Sequence, residues 1–426
     1  MSHQTPLERH HEAYVKADAS PGLMGYTAAQ RPGAAVGQPL ERQVQYINYG
    51  PREPAANESP AFSCRIVASF GDVEREYAAI RRGAGLFDCP HHGTLLIVGN
   101  AIERREFLNR MLTQELKDLA PGIAKSAFWL NRKGRIQADL LLAELGDRAF
   151  IDVDVHQSAS TVKTLSEFLF AEDLSIRDAS AEYHHIAVHG KLAPQVIAAA
   201  CGFDDFNLEP SRAAMISIDG VEVVAVRRDQ TGEPGFELIV SCQLAAAVWE
   251  FLLATDHIVG QDKHRVRPIG WFAFNIARIE AGTPLFNIDF GPSNLPHETG
   301  ILHDRVSFTK GCYLGQEIVA RMESLGKPKQ MLVGLKILGD FLPVAGGQVF
   351  EQCADQSMGQ QLGLVTSSAL SPMLGATPIA FATVKSAYAQ AGTSVLVNAE
   401  GAQVPAIVGP LRFWPAPLEV AHERIV

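Results

Sequence analysis

Apolar residues along the chain keep to two periods, and the switches between them outline its elements. Val73, Tyr77 and Ile80 stand at helical spacing behind Asp72, a residue suited to capping, and Gly83 and Gly85 close the run. Residues 94–98 are continuously apolar and predict a buried strand. Residues 102–112 return to the helical period, with Phe107, Leu108, Met111 and Leu112 on one side. Two further apolar runs, 126–130 and 136–145, enclose the turn Asn131-Arg132-Lys133-Gly134-Arg135, whose glycine can take positive φ. An amphipathic helix with Val162, Leu165, Phe168 and Leu169 and a strand at 186–188 continue the alternation. Strands at 221–227 and 236–240 flank the turn Thr231-Gly232-Glu233-Pro234-Gly235, and helices follow at 244–253 and 269–280. Beyond Met331 the pattern becomes short β runs at 332–338, 362–367, 379–384 and 394–397, separated by Gly, Pro and Ser.

This pattern predicts an α+β fold in three parts. Residues 1–60 read as an extended leader without chemistry, 61–328 as a region of two α+β subdomains, and 329–426 as a small C-terminal β-barrel. A chain of 426 residues has room for two or three cores, on a loose prior of about 150 residues each. Its net charge of −10 gives no long-range attraction to phosphate backbones or anionic membranes, so neither nucleic acid nor a membrane is expected as a partner. No apolar run reaches the length of a membrane span, and residues 1–16 lack a signal-peptide core, so the expectation is a cytoplasmic protein. The six cysteines show no CxxC or other metal-ligand spacing and read as reduced thiols, with no metal site encoded locally.

Candidate chemistry concentrates in Lys310-Gly311-Cys312-Tyr313-Leu314-Gly315-Gln316-Glu317-Ile318-Val319-Ala320-Arg321. A cysteine behind a Lys-Gly pair and ahead of a helix-capable run lies near a cation and a positive helix end, both of which favour thiolate. The plain alternative is a buried, inert thiol. A helix that included it would place Cys312, Gln316 and Val319 on one face. Asp139 is the one carboxylate inside its apolar run, which makes it either a paired structural acid or a general base. Turn chemistry explains the glycines and proline around Glu233 but not the glutamate, which can accept parallel hydrogen bonds from a ring N–H and an exocyclic NH2. His91 and His92 are adjacent, yet neighbours on an extended segment point to opposite faces and no third ligand is spaced to join them.

Several of these stretches share a resemblance. Thr231-Gly232-Glu233-Pro234-Gly235-Phe236-Glu237 resembles the TGEDGFE turn of glycine-cleavage T-proteins, the folate-dependent aminomethyltransferases (GcvT). Ala84-Gly85-Leu86-Phe87-Asp88 resembles their AGLFD, Arg278-Ile279-Glu280-Ala281-Gly282 their RLEAG, and residues 285–298 keep the spacing of their LYGNDID…TPxEAG. Lys310 through Glu317 is similar to the KGCYxGQE signature of YgfZ-type folate-binding proteins, relatives of the T-protein implicated in maintaining iron–sulfur enzymes. T-proteins read DFxGK there, so Gln316 stands where their lysine would be, and their pair of aspartates aligns with Ala138 and Asp139.

The resemblance implies a ring of three parts around a central hole that holds tetrahydrofolate. Glu233 would grip the pterin, with Arg278 supporting the site and Asp289 as a further wall residue. Read from the residues themselves, Lys310 and Tyr313 join the binding candidates, and Cys312 and Asp139 are the candidate reactive groups. The function it implies is a YgfZ-like role in iron–sulfur cluster assembly or repair, with iron–sulfur proteins as partners. The alternative is a folate-dependent aminomethyltransferase or methyltransferase in which Asp139 orients or protonates the amine.

Overall fold

The computed structural model describes residues 2–18, 43–50, 63–255 and 266–414, which form three sheets and a closed barrel. A six-stranded sheet runs in the order Ala213–Ile218, Val221–Arg227, Gly235–Ser241, Tyr183–His189, Ala84–Asp88, Val266–Ile269 and is antiparallel except at its last pair. Strand alternation sends Leu86, Ile186, Val188, Phe236 and Leu238 to one face, where they pack with Trp249 and Leu252 of helix Ala245–Ala254 and Val196 and Ile197 of helix Ala193–Cys201.

A five-stranded antiparallel sheet, ordered Ala124–Leu130, Ile136–Glu144, Arg148–Asp154, His92–Gly99, Leu174–Asp178, buries Leu95, Ile97, Trp129, Leu140 and Ile151 against Phe107 and Leu108 of helix Ala101–Met111. The remaining faces of the two sheets meet through Leu96, Leu141 and Phe150 on one side and Val224, Val226 and Ile239 on the other. Helix Val73–Arg82 starts as predicted, with Asp72 accepting from the Arg75 amide at 3.1 Å.

The barrel closes in the order Gln330–Ile337, Thr377–Lys385, Met358–Ser371, Gln348–Gln352, Ser394–Ala399, Ala402–Gly409, the last strand pairing back to the first. Its interior is filled by Val333, Leu335, Val349, Val365, Ala382 and Val397. A separate apolar cluster joins it to helix Trp271–Ala281, through Ile279 against Leu332, Ile379 and Phe381.

The leader departs from the extended form expected. Residues Glu8–Asp18 are helical, and strand Gln45–Tyr49 pairs with Ser63–Ser69. Leu7, His11 and Val15 recur every four residues on the buried face of that segment. Because one of the three is a histidine, the apolar pattern is interrupted and the helix is hard to see from hydropathy alone. His11 packs edge-on to Phe70 and Trp249 at 5.3 and 5.4 Å and lies 3.4 Å from Asp88, with burial pushing its pKa down to about 4. Residues 1, 19–42 and 51–60 of the expected leader lie outside the described residues.

Candidate functional site

A cavity of about 520 Å³ opens beside the apolar contact between the two sheets. Strand alternation decides who reaches it. On Ile136–Glu144, Asp139 and Leu141 line the cavity, while Ala138, Leu140 and Leu142 lie in the core behind. By the same rule Asp152 and Asp154 share a face with Phe150, His92 and Thr94 with Leu96, and Glu237 with Ile239, so these polar groups stand on the facing sides of the two sheets.

They form a closed network at the cavity floor. His92 Nδ1 lies 2.7 Å from Asp152 Oδ1 and 2.8 Å from Glu237 Oε1. His185 Nδ1 donates to Glu237 Oε1 at 2.7 Å and its Nε2 accepts from Thr94 Oγ1 at 2.7 Å. Arg228 Nη1 donates to Asp152 Oδ2 at 2.5 Å and Glu237 Oε2 at 2.7 Å. Burial opposes the charge on His92, Arg228 and Glu237, but the pairing outweighs it. Asp152 and Glu237 raise His92 to about 10, and His92 with Arg228 holds Glu237 well below the usual carboxylate range. Two carboxylates thus face two cations across the sheet interface, which satisfies the requirement that buried charge be paired.

This convergence corrects the expectation that nothing joins the His91–His92 pair. The rings of His91 and His92 touch at 4.5 Å, and the acids near His92 arrive from strands 60 and 145 residues away, a relation that spacing along the chain does not encode. His92, Asp152, His185 and Glu237 have the donor types of a metal site, but Arg228 already occupies one oxygen of each carboxylate.

The walls carry further pairs. Arg305 donates from Nε and Nη2 to the two oxygens of Asp139 at 2.7 and 3.4 Å. Tyr49 donates to Asp154 Oδ2 at 2.5 Å, and burial raises the pKa of that carboxyl. His91 is buried, lines the cavity, meets the Tyr49 ring in a tilted contact at 5.0 Å and has no hydrogen-bond partner at Nδ1. Burial pushes its pKa well below the usual histidine range, so the ring is neutral.

Of the residues proposed from the sequence, only Asp139 lines this cavity. Glu233 is buried at the hairpin tip, 3.6 Å from Arg81, and burial raises its pKa against the pull of that arginine. Arg278 and Asp289 form a fully buried pair at 2.5 Å that reaches the barrel residue Ser367. Lys310 donates to the carbonyls of Asn109, Leu112 and Gln114 at 2.6, 2.7 and 2.7 Å, and burial lowers its pKa to about 8. Tyr313 packs among Phe128, Phe286 and Phe290.

Cys312 is exposed and borders a second cavity, of about 460 Å³, with Ile102, Arg105, Glu106, Asn109, Arg110 and Lys117. The helix expected to include it begins later, at Gln316. Gly315 immediately before it has φ +83°, a conformation suited to glycine that separates Cys312 from the helical turns. Cys312, Gln316 and Val319 therefore do not form one helical stripe.

Sequence reasoning set His92 aside and missed Tyr49, Asp152, Arg228, Glu237 and Arg305. For Asp152 and Glu237 the signal was present: each is a carboxylate inside an apolar strand, as Asp139 is. Tyr49 lay in the segment to which no chemistry was assigned, and Arg305 lies on the short helix Leu302–Arg305, which has no apolar period.

Residues 35–310 match the GCVT N-terminal domain family, and residues 330–414 match the glycine cleavage T-protein C-terminal barrel domain. An aminomethyltransferase of Geobacillus kaustophilus is 30% identical over 351 residues, covering 81% of this chain and 91% of the relative. One from Streptomyces coelicolor is 31% identical over 350 residues, covering 81% and 90%. The crystal structure of glycine cleavage system aminomethyltransferase T from Bartonella henselae superposes with a TM-score of 0.72 at 24% identity, over 83% of this chain and 92% of that one, and so shares the fold.

Proposed function

Since the chain belongs to the glycine-cleavage T-protein family, carrying both its N-terminal domain and its C-terminal barrel, we propose that it is a folate-dependent transferase of an aminomethyl or methyl group. The observation that carries this reading is Asp139, the sequence-predicted acid whose strand register turns it into the cavity while its neighbour Ala138 stays in the core. The cavity falls in the size range of small-molecule sites, roughly 300–1,000 Å³. It is lined by polar groups, among them Asp139, Asp152 and Arg228, beside the rings of Tyr49, Phe274 and Phe286, so the residues present fit tetrahydrofolate. Tetrahydrofolate would supply the amine that takes up the one-carbon unit. Asp139, steadied by Arg305, orients the amine of the donor and can hold a proton beside it. The Tyr49–Asp154 pair and Phe286 line the cavity beside it.

The test is a thermal-shift titration with tetrahydrofolate followed by turnover of an aminomethyl donor to methylene-tetrahydrofolate and ammonia, or of a methylated-amine donor to methyl-tetrahydrofolate and the demethylated amine. At a free ligand concentration of 100 Kd the protein should gain about 2.7 kcal/mol. Asp139→Asn should lower the rate by roughly 10²–10⁴-fold. Absence of any shift in the wild type overturns the reading, and an unchanged rate in the variant removes Asp139 from it.

A second reading is a YgfZ-like role in iron–sulfur cluster assembly or repair, and one observation favours it: Cys312 is exposed beside Arg105, Arg110 and Lys117, a setting that suits a working thiol. Cells lacking the protein and supplied with Cys312→Ala should then fail to restore an iron–sulfur enzyme. Full rescue would sink this reading.

A further inference from the structure

Three arginines border the cavity, and they differ in what their guanidinium edges already hold. Arg227 spends Nε and Nη2 on Asp229, at 2.5 and 3.2 Å, and Nη1 on the Leu208 carbonyl at 3.1 Å. Arg305 spends Nε and Nη2 on Asp139, at 2.7 and 3.4 Å. Arg228 reaches two carboxylates through one nitrogen: Nη1 serves Asp152 at 2.5 Å and Glu237 at 2.7 Å. Its Nε and Nη2 bond no described residue, neither is a sealed polar atom, and the side chain keeps 22% exposure where it lines the cavity.

From this difference we infer that the Nε–Nη2 edge of Arg228 is a ligand subsite for a carboxylate. Two parallel N–H donors in one plane match the two oxygens of a carboxylate, and the match is bidentate. Among the described residues the protein supplies no such partner itself. Asp152 and Glu237 are engaged at Nη1, Asp139 and Asp229 are held by their own arginines, Asp154 accepts from Tyr49, and Asp304 stands exposed at the rim. The guanidinium is also fixed in place, because Nη1 is clamped by two acids that His92 grips from the other side. A fixed, half-enclosed fork loses little freedom on binding, which is the condition for selective recognition.

The inference rests on the transferase reading, and under it the carboxylate has two sources: the acid end of an amino-acid one-carbon donor, or the glutamate of the folate. Binding to the full-length protein and to Arg228→Lys separates them. Lysine keeps the charge facing Asp152 and Glu237 but has no planar edge. The probes are 6-methyltetrahydropterin, which has no carboxylate, tetrahydrofolate, N-methylglycine, and the methyl ester of N-methylglycine.

Arg228→Lys should bind 6-methyltetrahydropterin within about twofold of wild type and a carboxylate probe roughly 10–100-fold more weakly. A loss on N-methylglycine, matched by the loss wild type shows on its ester, assigns the subsite to the donor. A loss on tetrahydrofolate alone assigns it to the glutamate. The inference is overturned if no probe is weakened, or if 6-methyltetrahydropterin is weakened as much as the acids. Failure of wild type to bind either folate compound would instead bring down the transferase reading.

Discussion

Replacing Asp289 by Asn tests whether the Arg278–Asp289 pair joins the barrel to the rest of the chain or binds a ligand. Both side chains are 0% exposed. The carboxylate accepts from Arg278 Nη1 at 2.5 Å, Ser367 Oγ at 2.5 Å, Thr366 Oγ1 at 2.8 Å and the Leu285 amide at 2.9 Å. Asparagine is isosteric, so no cavity opens. It removes the charge opposite a buried guanidinium and turns an N–H2 towards groups that donate. Breaking a buried ion pair costs roughly 3–5 kcal/mol, and the lower end applies because Arg278 keeps Asn275 Oδ1 and the Thr283 carbonyl. At roughly 2–4 °C per kcal/mol for a unit of 150–250 residues, about 3 kcal/mol lowers Tm by roughly 6–12 °C.

Urea unfolding followed by tryptophan fluorescence measures this, with tetrahydrofolate binding assayed on the same samples. The double variant Arg278→Met/Asp289→Leu should recover part of the loss, since neither charge is then left alone. A loss under about 1 kcal/mol would refute the structural role. So would unchanged stability with loss of folate binding, the result that the family resemblance implies for these two residues.

Stability should also depend on pH through His92, whose folded pKa of about 10 lies above the ordinary 6.5. The contribution is complete below about pH 6.5 and fades as pH rises towards 10, so the stability gap between wild type and His92→Gln should narrow over that window in urea titrations. Lys310→Met leaves the carbonyls of Asn109, Leu112 and Gln114 without their donor at the end of helix Ala101–Met111. A loss of about 2–4 kcal/mol and faster hydrogen exchange in that helix are expected. In the folded protein Cys312 should react with a thiol reagent while Cys64 and Cys89, both buried, stay silent until urea unfolds the chain, a contrast that mass mapping of the labelled cysteines reads directly.

Local chemistry determined much of this protein. Asp72 capping its helix, the apolar strands around Asn131–Arg135 and the change to short β runs after Met331 each depend on residues a few positions apart, and all three are found in the fold. Asp139 was legible for the same reason: a charge inside an apolar run must meet either a partner or a site, and here it has both, Arg305 and the cavity. What sequence could not determine is which charges meet across the sheets. Arg278 and Lys310 look like binding residues because they are cations in motif-rich stretches, yet tertiary packing spends them on Asp289 and on three backbone carbonyls. His92, Asp152, Arg228 and Glu237 become one network only when two sheets close face to face, because strand alternation sets the face of each residue but pairing between sheets sets its neighbour.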